Sequence, residues 1–218
     1  PRAPIASHEG RCRPFEIDAA LARRLKDLAR RERATPFMTL LAAFEVLLAR
    51  YSGQQDFAIG VPSAGRTRPE LEPLVGFFVN MLPIRADLAG RPTFVELLGR
   101  VRARALDAYE HQELPFERLV TELAPSRDAA RNPLFQVSFA LHPAGGATWR
   151  LPGLVVDPLD VSGSESAKFD LSLTLTDADG VLRGSLVGAA ALFDESTLAR
   201  IAEHFRTLLA SIADEPGQ

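Results

Sequence analysis

Phe169-Asp170-Leu171-Ser172-Leu173-Thr174-Leu175-Thr176 alternates apolar and polar residues without a break. Successive side chains of an extended chain point to opposite sides, so this stretch predicts a half-buried strand with its leucines on one face. Asp177-Ala178-Asp179-Gly180 follows with turn chemistry, and Val181 to Leu192 returns as the hairpin partner. Upstream, Leu134 to Leu141 sets Phe135, Val137, Phe139 and Leu141 on one face and predicts a further strand.

Outward from this block the period changes to helical. Asp18 caps a helix that turns Leu21, Leu25 and Leu28 inward and spreads Arg23, Lys26, Arg30 and Arg33 over a solvated side. Thr35-Pro36 starts a second helix, on which Phe37, Leu40, Leu41, Phe44, Leu47, Leu48 and Tyr51 recur, and Gly53 ends it where a left-handed residue is wanted. Asp56 to Val61 reads as a short buried strand closed by Pro62-Ser63-Ala64-Gly65, and Val75 to Arg85 as a second strand interrupted by Pro83. Thr93 and Glu96 form a capping box opening a helix to Tyr109, and a shorter helix runs from Pro115 to Leu123. Asp194 caps a final helix with Leu198, Ile201, Ala202, Phe205, Leu208, Leu209 and Ile212 in one stripe. Pro143 to Pro152, with Gly145-Gly146, reads as a mobile loop. Helices and strands are mixed over the whole length without a repeat, so the fold class is α/β and residues 1–218 form one unit.

Composition narrows the function. Of 218 residues 46% are hydrophobic and 24% charged, and 25 Lys and Arg against 28 Asp and Glu give a net charge of -3, unlike the basic balance of a nucleic-acid binder. Cys12 is the single cysteine, which excludes an intrachain disulfide and a Cys-based zinc site and points to a reducing compartment. No run approaches the roughly 18 apolar residues of a membrane span, so the expectation is a cytoplasmic protein with neither membrane nor nucleic acid as partner. The start PRAPIASHEG is not a signal peptide and lacks an initiator Met, which suggests a piece of a longer chain.

Independent catalytic chemistry is hard to find. Ser63 follows Val61-Pro62, without the first glycine that a G-x-S-x-G nucleophile elbow needs for its tight turn. Asp177-Ala178-Asp179-Gly180 begins like a calcium loop, but its glycine comes too early and no closing Glu follows, so a hairpin turn is the better reading. Neither G-x-G-x-x-G nor a Walker glycine loop is present. His8, His111, His142 and His204 are isolated from one another, and none is followed by Asp four residues on.

Four stretches together carry a resemblance. They are Tyr51-Ser52-Gly53-Gln54-Gln55-Asp56-Phe57-Ala58-Ile59-Gly60-Val61-Pro62-Ser63-Ala64-Gly65-Arg66, Val75-Gly76-Phe77-Phe78-Val79-Asn80, His111-Gln112-Glu113-Leu114-Pro115-Phe116-Glu117, and Arg127-Asp128 through Arg131-Asn132-Pro133-Leu134-Phe135-Gln136. In order and spacing they resemble the later motifs of the condensation domains of nonribosomal peptide synthetases, as do Ala167-Lys168-Phe169-Asp170-Leu171 and the last helix.

The resemblance implies a chloramphenicol acetyltransferase-like lobe, an α/β (α+β) sandwich in which helices flank a mixed sheet. It also implies transfer of a carrier-bound acyl or peptidyl thioester to the amine of a carrier-bound aminoacyl acceptor. That family's signature, His-His-x-x-x-Asp-Gly, lies on its first lobe and is absent here. The expectation is therefore a C-terminal lobe with no catalytic residue, inactive alone. Its partners would be the N-terminal lobe and the donor and acceptor peptidyl carrier proteins. It binds no cofactor itself, since phosphopantetheine is carried by those partners. Asn80, Ser63, Arg66, Gly76 and Phe78 are the implied substrate-binding positions, with Asn80 either holding a reacting carbonyl or amine or bonding backbone at a strand end. His111 and Gln112 position the turn into Pro115-Phe116, with Phe116 packing inward. A docking or recruitment module and an epimerization lobe are the alternatives. A lone lobe is also expected to leave Ser63 to Leu74 and His142 to Lys168 poorly ordered or rearranged and to self-associate.

Overall fold

The structure is a computed structural model that describes residue 2 and residues 7–123, 128, 130–143, 153–154 and 166–218. In chain order it contains β1 (Gly10–Ile17), α1 (Ala19–Arg31), α2 (Pro36–Ser52), β2 (Asp56–Ser63), β3 (Asn80–Asp87), α3 (Phe94–Glu110), α4 (Phe116–Leu123), β4 (Val137–Pro143), β5 (Leu171–Ala178), β6 (Val181–Ala189) and α5 (Glu195–Asp214).

The helix starts follow from local chemistry. Asp18 accepts the Leu21 N–H at 2.8 Å, Thr35 the Met38 N–H at 3.2 Å and Asp194 the Thr197 N–H at 2.6 Å, each satisfying an amide the helix cannot bond itself. Thr93 and Glu96 complete the reciprocal capping box of α3. Gly53 closes α2 at a φ of 71°. Between β5 and β6 only Asp179 and Gly180 are unpaired, at φ 52° and 88°, the two left-handed residues of a tight hairpin.

The six strands form one mixed sheet in the order β1-β6-β5-β4-β2-β3, with β4 parallel to β2 and to β5 and the other pairs antiparallel. One sheet face supplies Ile59, Val61, Leu82, Ile84, Phe139, Leu171, Leu173, Leu175, Leu182 and Leu186, all buried. Side chains of α1, α2, α3 and α5 complete the same core. Phe44 is its hub, with ring centroids 5.9 Å from Phe139 and 6.1 Å from Phe205. Each such side chain contributes about 1.5–3 kcal/mol by leaving water. Within this apolar layer Glu45 is 0% exposed, neither carboxylate oxygen has a hydrogen-bond partner among the described residues, and burial pushes its pKa up to about 8.

Several boundaries differ from the sequence expectation. The strand expected from Val75 begins at Asn80, because residues 75–79 turn outward with Val75 103% and Phe77 90% exposed. Pro83 does not interrupt it: it pairs with Gly60 on the edge strand β3, where one neighbour is missing anyway. The strand expected through Leu192 stops at Ala189, whose carbonyl takes the N–H groups of Leu192 and Phe193. Leu134, at φ 66°, delays β4 to Val137. β1 was not foreseen, since Arg11, Arg13 and Pro14 dilute its apolar signal. Most of Pro143 to Pro152 and of His142 to Lys168 lies outside the described residues.

Candidate functional site

Three of the four motif stretches meet where β2 ends and β3 begins. Ser63 and Asn80 are paired across these strands. Ser63 Oγ donates to Gln112 Oε1 at 2.8 Å, and Gln112 Nε2 donates to the Tyr109 carbonyl at 3.0 Å. Asn80 Nδ2 donates to the carbonyls of Gln112 and Leu114 at 3.0 and 2.8 Å, while its Oδ1 accepts the Phe116 N–H at 3.0 Å. The amide of Asn80 thus clips the α3–α4 turn to the sheet and serves as the N-terminal acceptor for α4.

The loop between β2 and β3 is held by Arg66. Its guanidinium donates to the carbonyls of Leu71, Glu72 and Leu74, the last at 2.8 Å, and lies 4.5 Å from the centroid of the Phe78 ring. These carbonyls belong to and follow a short 3₁₀ turn at Pro69–Leu71. Gly65, at φ 65°, tolerates no side chain, because a Cβ there would fall 2.0 Å from the Phe78 carbonyl oxygen. Gly76 lets the Phe78 ring edge approach to 3.0 Å of the position a Cβ would take. Thr67 Oγ1 reaches Glu113 Oε1 at 3.2 Å, a second tie to the α3–α4 turn. Within the segment Ser63 to Leu74, expected to be poorly ordered or rearranged, Ser63, Arg66 and Thr67 make side-chain ties to Gln112, to the carbonyls of Leu71, Glu72 and Leu74, and to Glu113. Their consequence is outward display of Leu74, Val75, Phe77 and Val79, a row of large apolar side chains in water.

The fourth stretch joins from the other sheet face. Gly60 alternates with Ile59 and Val61 and so points away from the core, and the Phe135 ring lies over it, 2.1 Å from where a Cβ would stand. Phe135 is buried and stacks between Phe116 and Phe169, at centroid distances of 5.3 and 5.5 Å. Nearby, Arg2 forms a bidentate pair with Asp170, and Asn132 Nδ2 donates to the Lys168 carbonyl at 2.7 Å.

The structure therefore gathers Ser63, Arg66, Gly76, Phe78 and Asn80 into one neighbourhood. The polar groups of Ser63, Arg66 and Asn80 are largely spent on the protein itself. No histidine among the described residues joins them: His111 caps the C-terminal end of α3, and His204 bonds the Tyr51 hydroxyl at 2.9 Å on the far helix layer. The sequence assigns no role to the polar positions of β5, Ser172, Thr174 and Thr176. Their alternation was visible, but whether a helix covers that side is a tertiary fact.

A two-layer sandwich of helices on one mixed six-stranded sheet is the architecture of the chloramphenicol acetyltransferase-like acyltransferases. The Condensation domain family profile matches residues 3–218, and the chain belongs to that family. It is 45% identical over 217 residues to chondramide synthase cmdD of Chondromyces crocatus, covering all of this chain and 6% of that protein. Among solved structures it is similar to the X-domain in the complex of the X-domain and OxyB from teicoplanin biosynthesis, with a TM-score of 0.89, 30% identity, and coverage of 100% of this chain and 48% of that one. The condensation domain of the Monacolin K polyketide synthase MokA shares the fold, with a TM-score of 0.85, 24% identity, and coverage of 99% of this chain and 50% of that one. The chain thus spans about half the length of these two structures and a small part of the chondramide synthase.

Proposed function

We propose that this chain is the C-terminal half of a peptide-bond-forming condensation domain. In this reading the other half supplies the His-His-x-x-x-Asp-Gly signature, and this half supplies one wall of the passage through which two carrier-borne thioester arms meet. The observation that carries it is the meeting of three motif stretches where β2 ends and β3 begins, tied to the fourth through the Phe116–Phe135 ring contact, in a chain whose sequence lacks the His-His-x-x-x-Asp-Gly signature. The outward row at Leu74, Val75, Phe77 and Val79 fits a contact with the missing half.

The work assigned to this half is alignment. Holding a thioester and an amine in reacting geometry can remove about 7–11 kcal/mol from a barrier. Asn80 and Ser63 act by fixing the α3–α4 turn, and Arg66, Gly76 and Phe78 by fixing the loop that faces the other half. Phosphopantetheine enters on the carrier partners, and this half orients it.

The test is reassembly. The purified chain, supplied with carrier-bound donor and acceptor, is expected to form no amide by mass spectrometry, whereas addition of the separately produced His-bearing half restores product. Amide formation by the chain alone overturns the reading. The likeness to an X-domain found in a complex with OxyB supports a second reading, a recruitment module. Failure of reassembly, together with stable capture of a tailoring enzyme by the chain, would select it.

A further inference from the structure

The sheet face opposite the core has a composition that the fold alone does not require. Across β4, β5, β6 and β1 the registers align Ser138, Ser172, Val187 and Cys12 in one row, and Ala140, Thr174, Ser185 and Pro14 in the next. A third row, His142, Thr176, Arg183 and Glu16, carries charge and is closed by the Arg183–Glu16 ion pair at 3.4 Å. In the first two rows no side chain is larger than Val and none is charged. Most are half-buried, and no helix of the described residues seats its apolar stripe on them. Beside β4 the stacked rings of Phe116, Phe135 and Phe169 rise as a wall.

These features describe a floor. Four strands at about 4.8 Å spacing make it about 14 Å wide, and alternate residues stand about 6.7 Å apart along it. Its groups suit an uncharged chain rich in amides. Ser138 Oγ donates to Ser172 Oγ at 2.9 Å, and that pair retains lone pairs for an incoming N–H. The Thr174 and Thr176 hydroxyls have no partner among the described residues, leaving donors for carbonyls. A dry protein contact would instead show large apolar groups, as Val75 and Phe77 do, and an anion site would show cations within the first two rows.

We propose that this face is the floor along which an extended, amide-bearing acyl chain lies, and that Ala140 and Thr174, directly paired across β4 and β5, are specificity-determining residues that limit the bulk this chain can carry. The proposal rests on the condensation reading for its substrate class and adds to it a location and a size filter.

The test titrates the isolated chain with two probes, N-acetylalanyl and N-acetyltryptophanyl pantetheine amides, followed by methyl NMR. Both probes are expected to shift Ala140, Thr174 and Val187. Ala140→Phe is expected to lose about tenfold in affinity for the tryptophanyl probe while holding the alanyl probe within about twofold. Thr174→Val, which keeps volume, is expected to weaken both by about threefold through a lost hydrogen bond. Thermal melts establish that the variants fold, and Thr174→Val decides the matter if Ala140→Phe does not. Shifts confined to Val75 and Val79, no shifts at all, or unchanged selectivity in the variants overturn the proposal. If reassembly yields amide while these methyls stay silent, the proposal falls and the condensation reading stands. If the methyls respond and reassembly yields no amide, the condensation reading falls and the acyl-chain floor stands.

Discussion

Along β5, Leu171, Leu173 and Leu175 are at most 4% exposed, while Ser172, Thr174 and Thr176 between them are half-buried. The backbone is common to both sets, so the difference lies in what each face meets. The leucines belong to the core that α1, α2, α3 and α5 complete, and each contributes about 1.5–3 kcal/mol by burial. Of the hydroxyl residues, Ser172 bonds Ser138 at 2.9 Å, Thr174 faces Ala140 and Ser185, and Thr176 faces His142 and Arg183 across the strands, where a pair contributes about 0.2–1 kcal/mol. The leucine face therefore holds the molecule together, and among the described residues no helix seats its apolar stripe on the hydroxyl face of β5.

The sharpest way to break this contrast is on β4, where Phe139 and Ala140 are neighbours in sequence on opposite faces. Phe139 is 0% exposed and packs on Phe37 and Phe44 at 5.5 and 5.9 Å. Phe139→Ala is expected to cost about 3–5 kcal/mol in urea unfolding, and Ala140→Ser less than about 0.5. Comparable losses at both positions would mean that the outer face is also core.

Glu45 tests the dryness of the core face through pH. Its carboxyl titrates near 8 in the folded chain and at 4.5 ordinarily, because burial disfavours the charge. Below the unfolded value both states hold the proton, and stability is complete. Between the two values only the folded state does, so stability is lost as pH rises, by about 3 kcal/mol at pH 7, levelling off above the folded value. Glu45→Gln keeps the shape without the titration. Its unfolding free energy is expected to lack this slope between about pH 5 and 8. A parallel slope in the variant would assign the pH dependence to other groups.

Asn80 lies between the two regimes, half-buried and joined to three backbone groups. Asn80→Ala removes these bonds and is expected to cost about 2 kcal/mol, with faster hydrogen exchange at Phe116 and the first turn of α4. Protection at Phe116 equal to that of the parent chain would show that α4 is seated by Phe135 rather than by the amide.

These positions also show how far the sequence was legible. Caps and period were local, so Asp18, Thr35, Thr93 and Asp194 marked their helices and the alternation at 169–176 marked its strand. β1 was missed because an edge strand rich in Arg has no apolar rhythm to read. Residues 75–79 misled because Val-Gly-Phe-Phe-Val has strand composition, and only Arg66 and Gly65, acting at a distance in the chain, turn it outward. The motif residues were found through their resemblance to the family. Their geometry, with Asn80 spent on backbone and the open face lying elsewhere on the sheet, depends on which surfaces the helices leave bare.

The smallest expected effect bears most directly on the open face. Thr174→Val replaces a hydroxyl by a methyl at constant volume, in a strand where both residues are favoured. Thr174 has no hydrogen-bond partner to lose among the described residues, and its cross-strand neighbours Ala140 and Ser185 are small. Stability should therefore change by less than about 0.5 kcal/mol, within the range of an ordinary surface substitution, as measured by urea midpoint at constant slope. A face that served the fold would respond more strongly. A gain above about 1 kcal/mol would reveal that Val finds an apolar cover there, and that cover, rather than an incoming acyl chain, would be the occupant of the floor.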